Sequence, residues 1–303
     1  MHVETTRQAG ARASGAAACL IGMVLASACA ARAPVGSGAA LASMPARPPL
    51  AGSAEALEHM RPSLAAARLL VQLAPTAPHQ RALADQYLQI GVRDAAYDHY
   101  QAALRLAPKD VGALDGLARV WRDWGYLETA LPMALRAVYF APTSPVARNT
   151  LGTILLRLGQ PAEADRAFTQ ALALAPGAFW ALNNLCYVAI VRGLPAEGVA
   201  RCERTLRASP GNATVLNNLA LAYAASGDLE TAAARFSSAA PPSRASYNLG
   251  IALMATGHYA DAARAFDNAS ALGPGLTAAR ARASQSRVLA MHARPKEPRD
   301  PSQ

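Results

Sequence analysis

The sequence predicts an all-α chain, an α-solenoid of about six helix-turn-helix repeats with a capping helix at each end. Three observations predict it. Prolines recur at Pro75, Pro108, Pro142, Pro176 and Pro210 with gaps of 33, 34, 34 and 34 residues, and Pro274 closes a final interval of 64 that holds two shorter units around Pro241 and Pro242. A fixed period of this size marks stacked helical repeats, because one unit cannot bury its apolar face alone. A glycine then stands at the same place in every unit, at Gly91, Gly125, Gly159, Gly193, Gly227 and Gly257, where a first helix must end in a left-handed residue. Finally, no stretch shows the sustained two-residue alternation of a strand.

Residues 1–28 read as a signal peptide. Arg7 and Arg12 open it, although Glu4 is unusual there, and an Ala-rich apolar run follows from Ala13 to Ala28. The run is short for a membrane span. It ends Leu25-Ala26-Ser27-Ala28-Cys29, which resembles the bacterial lipobox with its leucine one place further from the cysteine. That resemblance implies lipidation at Cys29, and Ala30, in place of aspartate, implies outer-membrane sorting. The alternative is ordinary cleavage after Ala28, giving a soluble periplasmic chain. Residues 29–52 are rich in Ala, Pro and Gly and read as a flexible tether.

Residues 53–76 read as an N-terminal capping helix, half of a repeat, starting near Pro62 with Leu64, Leu69, Leu70 and Leu73 on one face. Residues 77–275 hold the six repeats. Small residues recur on the first helices (Ala84, Ala118, Gly152, Cys186, Ala220, Gly250) and on the second (Ala96, Ala130, Ala164, Gly198, Ala232, Ala262). Tyr100, Phe168, Phe236 and Phe266 fill the gap between paired helices, and Leu83, Leu117, Leu151, Leu185, Leu219 and Leu249 form an apolar spine. Residues 276–293 read as a C-terminal capping helix, with Leu276, Ala279, Ala283, Val288 and Leu289 toward the last repeat and Arg280, Arg282 and Arg287 toward water. The tail 294–303 reads as disordered.

These positions resemble the tetratricopeptide repeat (TPR) family over roughly residues 77–275. The resemblance implies a right-handed solenoid whose first helices line a concave groove. The fourth repeat departs most from the pattern, with Gly198, Cys202 and Thr205 replacing alanine, an aromatic and alanine. Projected onto the groove, the fifth positions give Arg81, Asp115, Asn149, Asn183, Asn217 and Tyr247, the sixth give Asn184, Asn218 and Asn248, the second gives Trp180, and the ninth Arg119 and Tyr187. Asn149, Trp180, Asn183, Tyr187, Asn217 and Tyr247 form the candidate peptide-binding groove. An amide offers both donor and acceptor, so it can pair with an extended backbone of any sequence. The sixth-position asparagines equally suit a purely structural role. Arg81, Arg119 and Arg122 stand apart from the asparagines, which argues against a clamp for a C-terminal carboxylate.

Cys186 and Cys202 take positions 8 and 24 of the fourth repeat, which face each other in the TPR fold. In an oxidising compartment they would form a disulfide; the alternative is two buried thiols acting as small hydrophobes. The net charge of +9 does not indicate nucleic acid. Residues 1–28 carry +1, 29–52 carry +2 and 276–303 carry +4, which leaves +2 for 53–275, whereas a nucleic-acid binder needs a concentrated basic face. No phosphate loop, HExxH, GxSxG or CxxC is present, and His79, His99 and His258 are scattered surface or turn residues. A non-enzymatic chain without metal or cofactor is therefore expected. Signal, lipobox, tether and repeats together resemble the TPR lipoproteins of tight-adherence (Flp-type) pilus assembly, and the usually shorter pilotins of type IV pili. That resemblance implies a protein scaffold facing the periplasm, anchored to the membrane at Cys29, with an outer-membrane secretin or pilus component as partner. The alternative is a periplasmic adaptor for peptidoglycan or protease enzymes.

Overall fold

A computed structural model describes residues 61–293. The signal peptide, Cys29, the tether and the tail lie outside the described residues. Fourteen helices and no strand are found among those residues, so the chain is all-α. In order they are α1 (Pro62–Leu73), α2 (Ala77–Gln89), α3 (Arg93–Leu106), α4 (Val111–Trp124), α5 (Leu127–Phe140), α6 (Pro145–Arg157), α7 (Pro161–Leu174), α8 (Phe179–Val191), α9 (Pro195–Ala208), α10 (Ala213–Ala225), α11 (Leu229–Ala239), α12 (Pro242–Ala255), α13 (Tyr259–Leu272) and α14 (Thr277–Ala293). They fall into two compact units, residues 61–181 and 182–293, with the division inside α8.

Local chemistry starts and stops each helix. Asp110, Ser144 and Asn212 cap α4, α6 and α10, and Asp110 Oδ1 accepts the backbone N–H of Ala113 at 2.9 Å. Every second helix carries an acid in its first turn (Asp94, Glu128, Glu163, Glu197, Glu230, Asp261), which the helix dipole favours. All six stop glycines adopt positive φ, from 74° to 90°, where a side chain would be strained. Second helices end instead two residues before proline. Ala107, Ala141 and Ala175 take φ near −135° to −139°, because the following proline ring disfavours the helical conformation.

Within each unit, paired helices pack as antiparallel hairpins and a first helix also touches the first helix of the next repeat. The expected rings all sit in the core: Tyr100, Phe168, Phe236 and Phe266 are fully buried. Each meets a small residue. A Cβ on Gly152 would stand 2.5 Å from the Phe168 ring, and one on Gly116 would run into Tyr100. The second repeat has Ala134 at the ring position, and Trp121 and Ile154 pack into that cluster. Leu151 packs there too, against Ala118, Ala130 and Ala134 of the preceding repeat.

Two expected faces are corrected. On α1 the buried face is Leu64 and Ala67, packed with Val71 against Leu83, Tyr87 and Ile90, while Leu69, Leu70 and Leu73 are exposed. A half repeat has one partner helix, so only one stripe of α1 is covered. On α14, Ala279, Ala283 and Ser286 are buried and Val288 is exposed, because the 3.6-residue period turns Val288 off the stripe that meets α13. Arg287 pairs with Asp267, and Arg280 Nε donates to Ser270 at 3.2 Å. His99 is corrected as well. It is half-buried within α3, stacks on Tyr87 with ring centroids 5.6 Å apart, and its Nδ1 lies 2.7 Å from Gln80. Burial lowers its pKa.

Candidate functional site

The second unit contains a groove of about 360 Å³ built on the first helices of its repeats. Five amides line it: Asn183 and Asn184 from α8, Asn217 and Asn218 from α10, and Asn248 from α12. Tyr187 and Tyr247 add rings, and Phe236, Leu221 and Ile251 add apolar surface. No ionisable carboxylate, amine, guanidinium or imidazole is among these lining residues. The Tyr187 phenol is pushed up by burial, so it enters the groove as a neutral hydroxyl.

The amides are tied to one another across repeats. Asn218 Nδ2 donates to Asn183 Oδ1 at 3.0 Å, and Asn248 Nδ2 donates to Asn217 Oδ1 at 2.9 Å. In both pairs a sixth-position amide reaches back to the fifth-position amide one repeat earlier. Asn217 Nδ2 also donates to the Ala213 carbonyl at 2.9 Å. The sixth-position asparagines thus hold neighbouring first helices in register and line the groove at once. An amide carries two donors and a two-lone-pair acceptor, so a single pairing does not exhaust it. Tyr247 is fixed edge-on to Phe266, with centroids 5.4 Å apart.

Of the six candidate groove residues, Asn183, Tyr187, Asn217 and Tyr247 come together here. Asn149 and Trp180 do not line this groove. Both belong to the first unit, where Trp180 packs against Ala171, Ala178 and Ala181. Leu221 and Ile251 were missed although they stand at the ninth repeat position, the one that points Tyr187 at the groove. An apolar residue at that position carries no sign in the sequence that it borders a groove.

Several first-helix residues of the first unit are charged. Asp85 accepts the Tyr100 hydroxyl at 2.6 Å. Arg122 bonds Thr153 at 3.0 Å and pairs with Asp123, and Arg81 lies 3.7 Å from Asp110. Asp115 is only 7% exposed, and one of its oxygens has no partner. Burial raises its pKa, against a hydrogen bond from Thr150 and the charges of Arg119 and Arg122. An aromatic cluster also went unforeseen. Trp121 stands 5.2 Å from both Tyr97 and Trp124, and 5.6 Å from Tyr126.

Cys186 and Cys202 are fully buried and face each other with Cα atoms 5.0 Å apart. Among the described residues no group of His, Cys, Asp and Glu could hold a metal ion, and no helix is long and apolar enough to cross a membrane.

The hairpin period, the positive-φ glycines and the ring-on-glycine contacts meet a direct counterpart in sequence. The tetratricopeptide repeat family model matches residues 149–213, 187–246 and 247–297. Residues 149–297 carry tetratricopeptide repeats. Such repeats form protein-interaction scaffolds, and the family is typically non-enzymatic. Solved TPR structures share the fold at low sequence identity. A tetratricopeptide repeat protein from Parabacteroides merdae is 17% identical, over 74% of this chain and 91% of that one, with a TM-score of 0.57. PilW, a type IV pilus biogenesis factor, is 22% identical over 68% and 97%, with a TM-score of 0.59. PilF of Pseudomonas aeruginosa is 19% identical over 69% and 96%, with a TM-score of 0.54. No curated protein matches the sequence significantly.

Proposed function

We propose that this TPR protein is a non-enzymatic scaffold that assists assembly or localisation of a pilus or secretion complex, with an outer-membrane secretin or pilus component as partner. It does so as an outer-membrane lipoprotein held by Cys29 and facing the periplasm. The observation that carries the scaffold reading is the uncharged groove of the second unit, whose paired amides and two tyrosines suit the backbone of an extended segment. Amides pair with peptide groups irrespective of side chain, and tyrosines supply rigid contact area at little entropic cost. The groove has no cation to hold a terminal carboxylate, so an internal segment fits it better than a chain end. Support for the pilus setting comes from the signal-lipobox-tether reading of residues 1–52 and from the shared fold of PilW and PilF.

In-cell crosslinking of the full chain, followed by mass spectrometry, tests this reading. The parent is expected to capture a secretin or pilus component, and an Asn183→Ala, Asn217→Ala double variant is expected to lose it. Because these amides also join repeats, the variant's thermal unfolding is measured alongside. Equal capture by both proteins would keep the function and move the site elsewhere. Capture of peptidoglycan or protease enzymes instead would replace the pilus reading with that of a periplasmic adaptor.

A further inference from the structure

In the third and sixth repeats a ring from the second helix presses on a glycine of the first. Phe168 meets Gly152, and Phe266 meets Gly250, where a Cβ would stand 2.8 Å from the ring. The same two positions in the fourth repeat are Cys186 on α8 and Cys202 on α9. No ring closes this hairpin. Instead both cysteines are fully buried with Cα atoms 5.0 Å apart, inside the range that a disulfide spans. Gly198 lets α9 approach this closely, since a Cβ there would stand 2.9 Å from Cγ1 of Ile190. The pair also lies directly behind the groove. Asn183 precedes Cys186 by one helical turn and Tyr187 follows it, and both line the groove.

We infer that Cys186 and Cys202 form a disulfide that stands in for the ring-on-glycine contact of the third and sixth repeats, so that the groove wall formed by α8 is firmly held only in the oxidised chain. Formation is thiol–disulfide exchange with an external disulfide. One cysteine thiolate attacks the donor and releases its first thiol. The second thiolate then displaces the donor's other sulfur. Two protons leave the protein thiols, the S–S bond forms, and the donor departs as two thiols carrying the two electrons. The bridge itself needs no partner; only its consequence for binding rests on the scaffold reading of the groove.

Full-length protein prepared without reductant is unfolded and alkylated, before and after phosphine reduction, and peptides are mapped by mass. Cys186 and Cys202 are expected to label only after reduction. Amide hydrogen exchange is then followed on the folded chain. Reduction is expected to speed exchange across residues 179–208 by about tenfold or more and to leave residues 242–272 unchanged. A Cys186→Gly, Cys202→Phe variant, which installs the glycine and ring of the third and sixth repeats, is expected to match the oxidised parent across 179–208 with or without phosphine. Labelling of both cysteines in the unreduced parent would overturn the inference, as would exchange that ignores reduction. An unfolded double variant would overturn the equivalence of bridge and ring. A bridge that forms and tightens α8 in a chain that captures no envelope protein would stand while the scaffold reading fell.

Discussion

The two units present the same scaffold positions with different chemistry, charged at several of them in the first and uncharged in the second. At the ninth repeat position the first unit carries Asp85, Arg119 and Thr153, and the second carries Tyr187, Leu221 and Ile251. At the fifth position the first has Arg81, Asp115 and Asn149, and the second has Asn183, Asn217 and Tyr247. The backbone that displays them is built by the same glycines, prolines and ring contacts in both. Scaffold and recognition are therefore separable: one set of positions makes the hairpins, and another is left to vary. In the first unit charges meet partners of the chain itself, as in Asp85 with Tyr100 and Arg122 with Asp123. In the second the amides bind each other and still keep capacity for a ligand.

The largest effect should come where the shared scaffold is cut. Phe236→Ala empties a fully buried ring site that also borders the groove, and denaturant unfolding should show a loss of about 3–5 kcal/mol. Phe168→Ala in the first unit should cost a similar amount, and a markedly smaller loss there would break the equivalence of the two scaffolds. Next comes Tyr100→Phe, which keeps the ring against Gly116 but removes the donor to Asp85. Its cost should be about 1–2 kcal/mol, read from the same unfolding curves. Asn248→Ala removes one inter-repeat amide bond and should cost about 1 kcal/mol. Hydrogen exchange in α10 and α12 should rise together in that variant, and a rise confined to α12 would show that the amide pair does not couple the repeats.

The smallest effect sharpens the electrostatic contrast. Burial raises the folded-state pKa of Asp115 above its unfolded value. The folded chain then binds the proton more tightly than the unfolded chain, so Asp115 weakens the fold as pH rises from the unfolded value through the raised one. Asp115→Asn lacks this titration. Its stability relative to the parent should therefore increase as pH climbs through that window and level off above it. A stability difference that does not change with pH would show that Arg119 and Arg122 fully offset the burial.

How much was legible in the sequence follows from the range of the forces involved. The stop glycines, the recurring prolines and the small-against-ring contacts were readable because each depends on a few neighbouring residues and recurs in register. The stripe that α1 buries was not. Leu69, Leu70 and Leu73 are as apolar as Leu64, and only the absence of a second partner helix leaves them in water. Trp180 looked like a binding anchor, yet it packs against Ala171, Ala178 and Ala181. Leu221 and Ile251 went unnoticed, because hydrophobicity does not say whether a side chain borders an open groove.

The sequence by itself determined the class and the period: short helices stopped by glycine and proline, whose small and aromatic positions recur in register. Tertiary structure alone decided which amide answers which, as Asn218 does Asn183 and Asn248 does Asn217 across 35 and 31 residues of chain. It also decided that Asp115 is buried. Local propensities act over a turn or two of helix. Pairing between successive repeats depends on how closely their helices approach, and the packing of small residues sets that distance only once the hairpins have stacked.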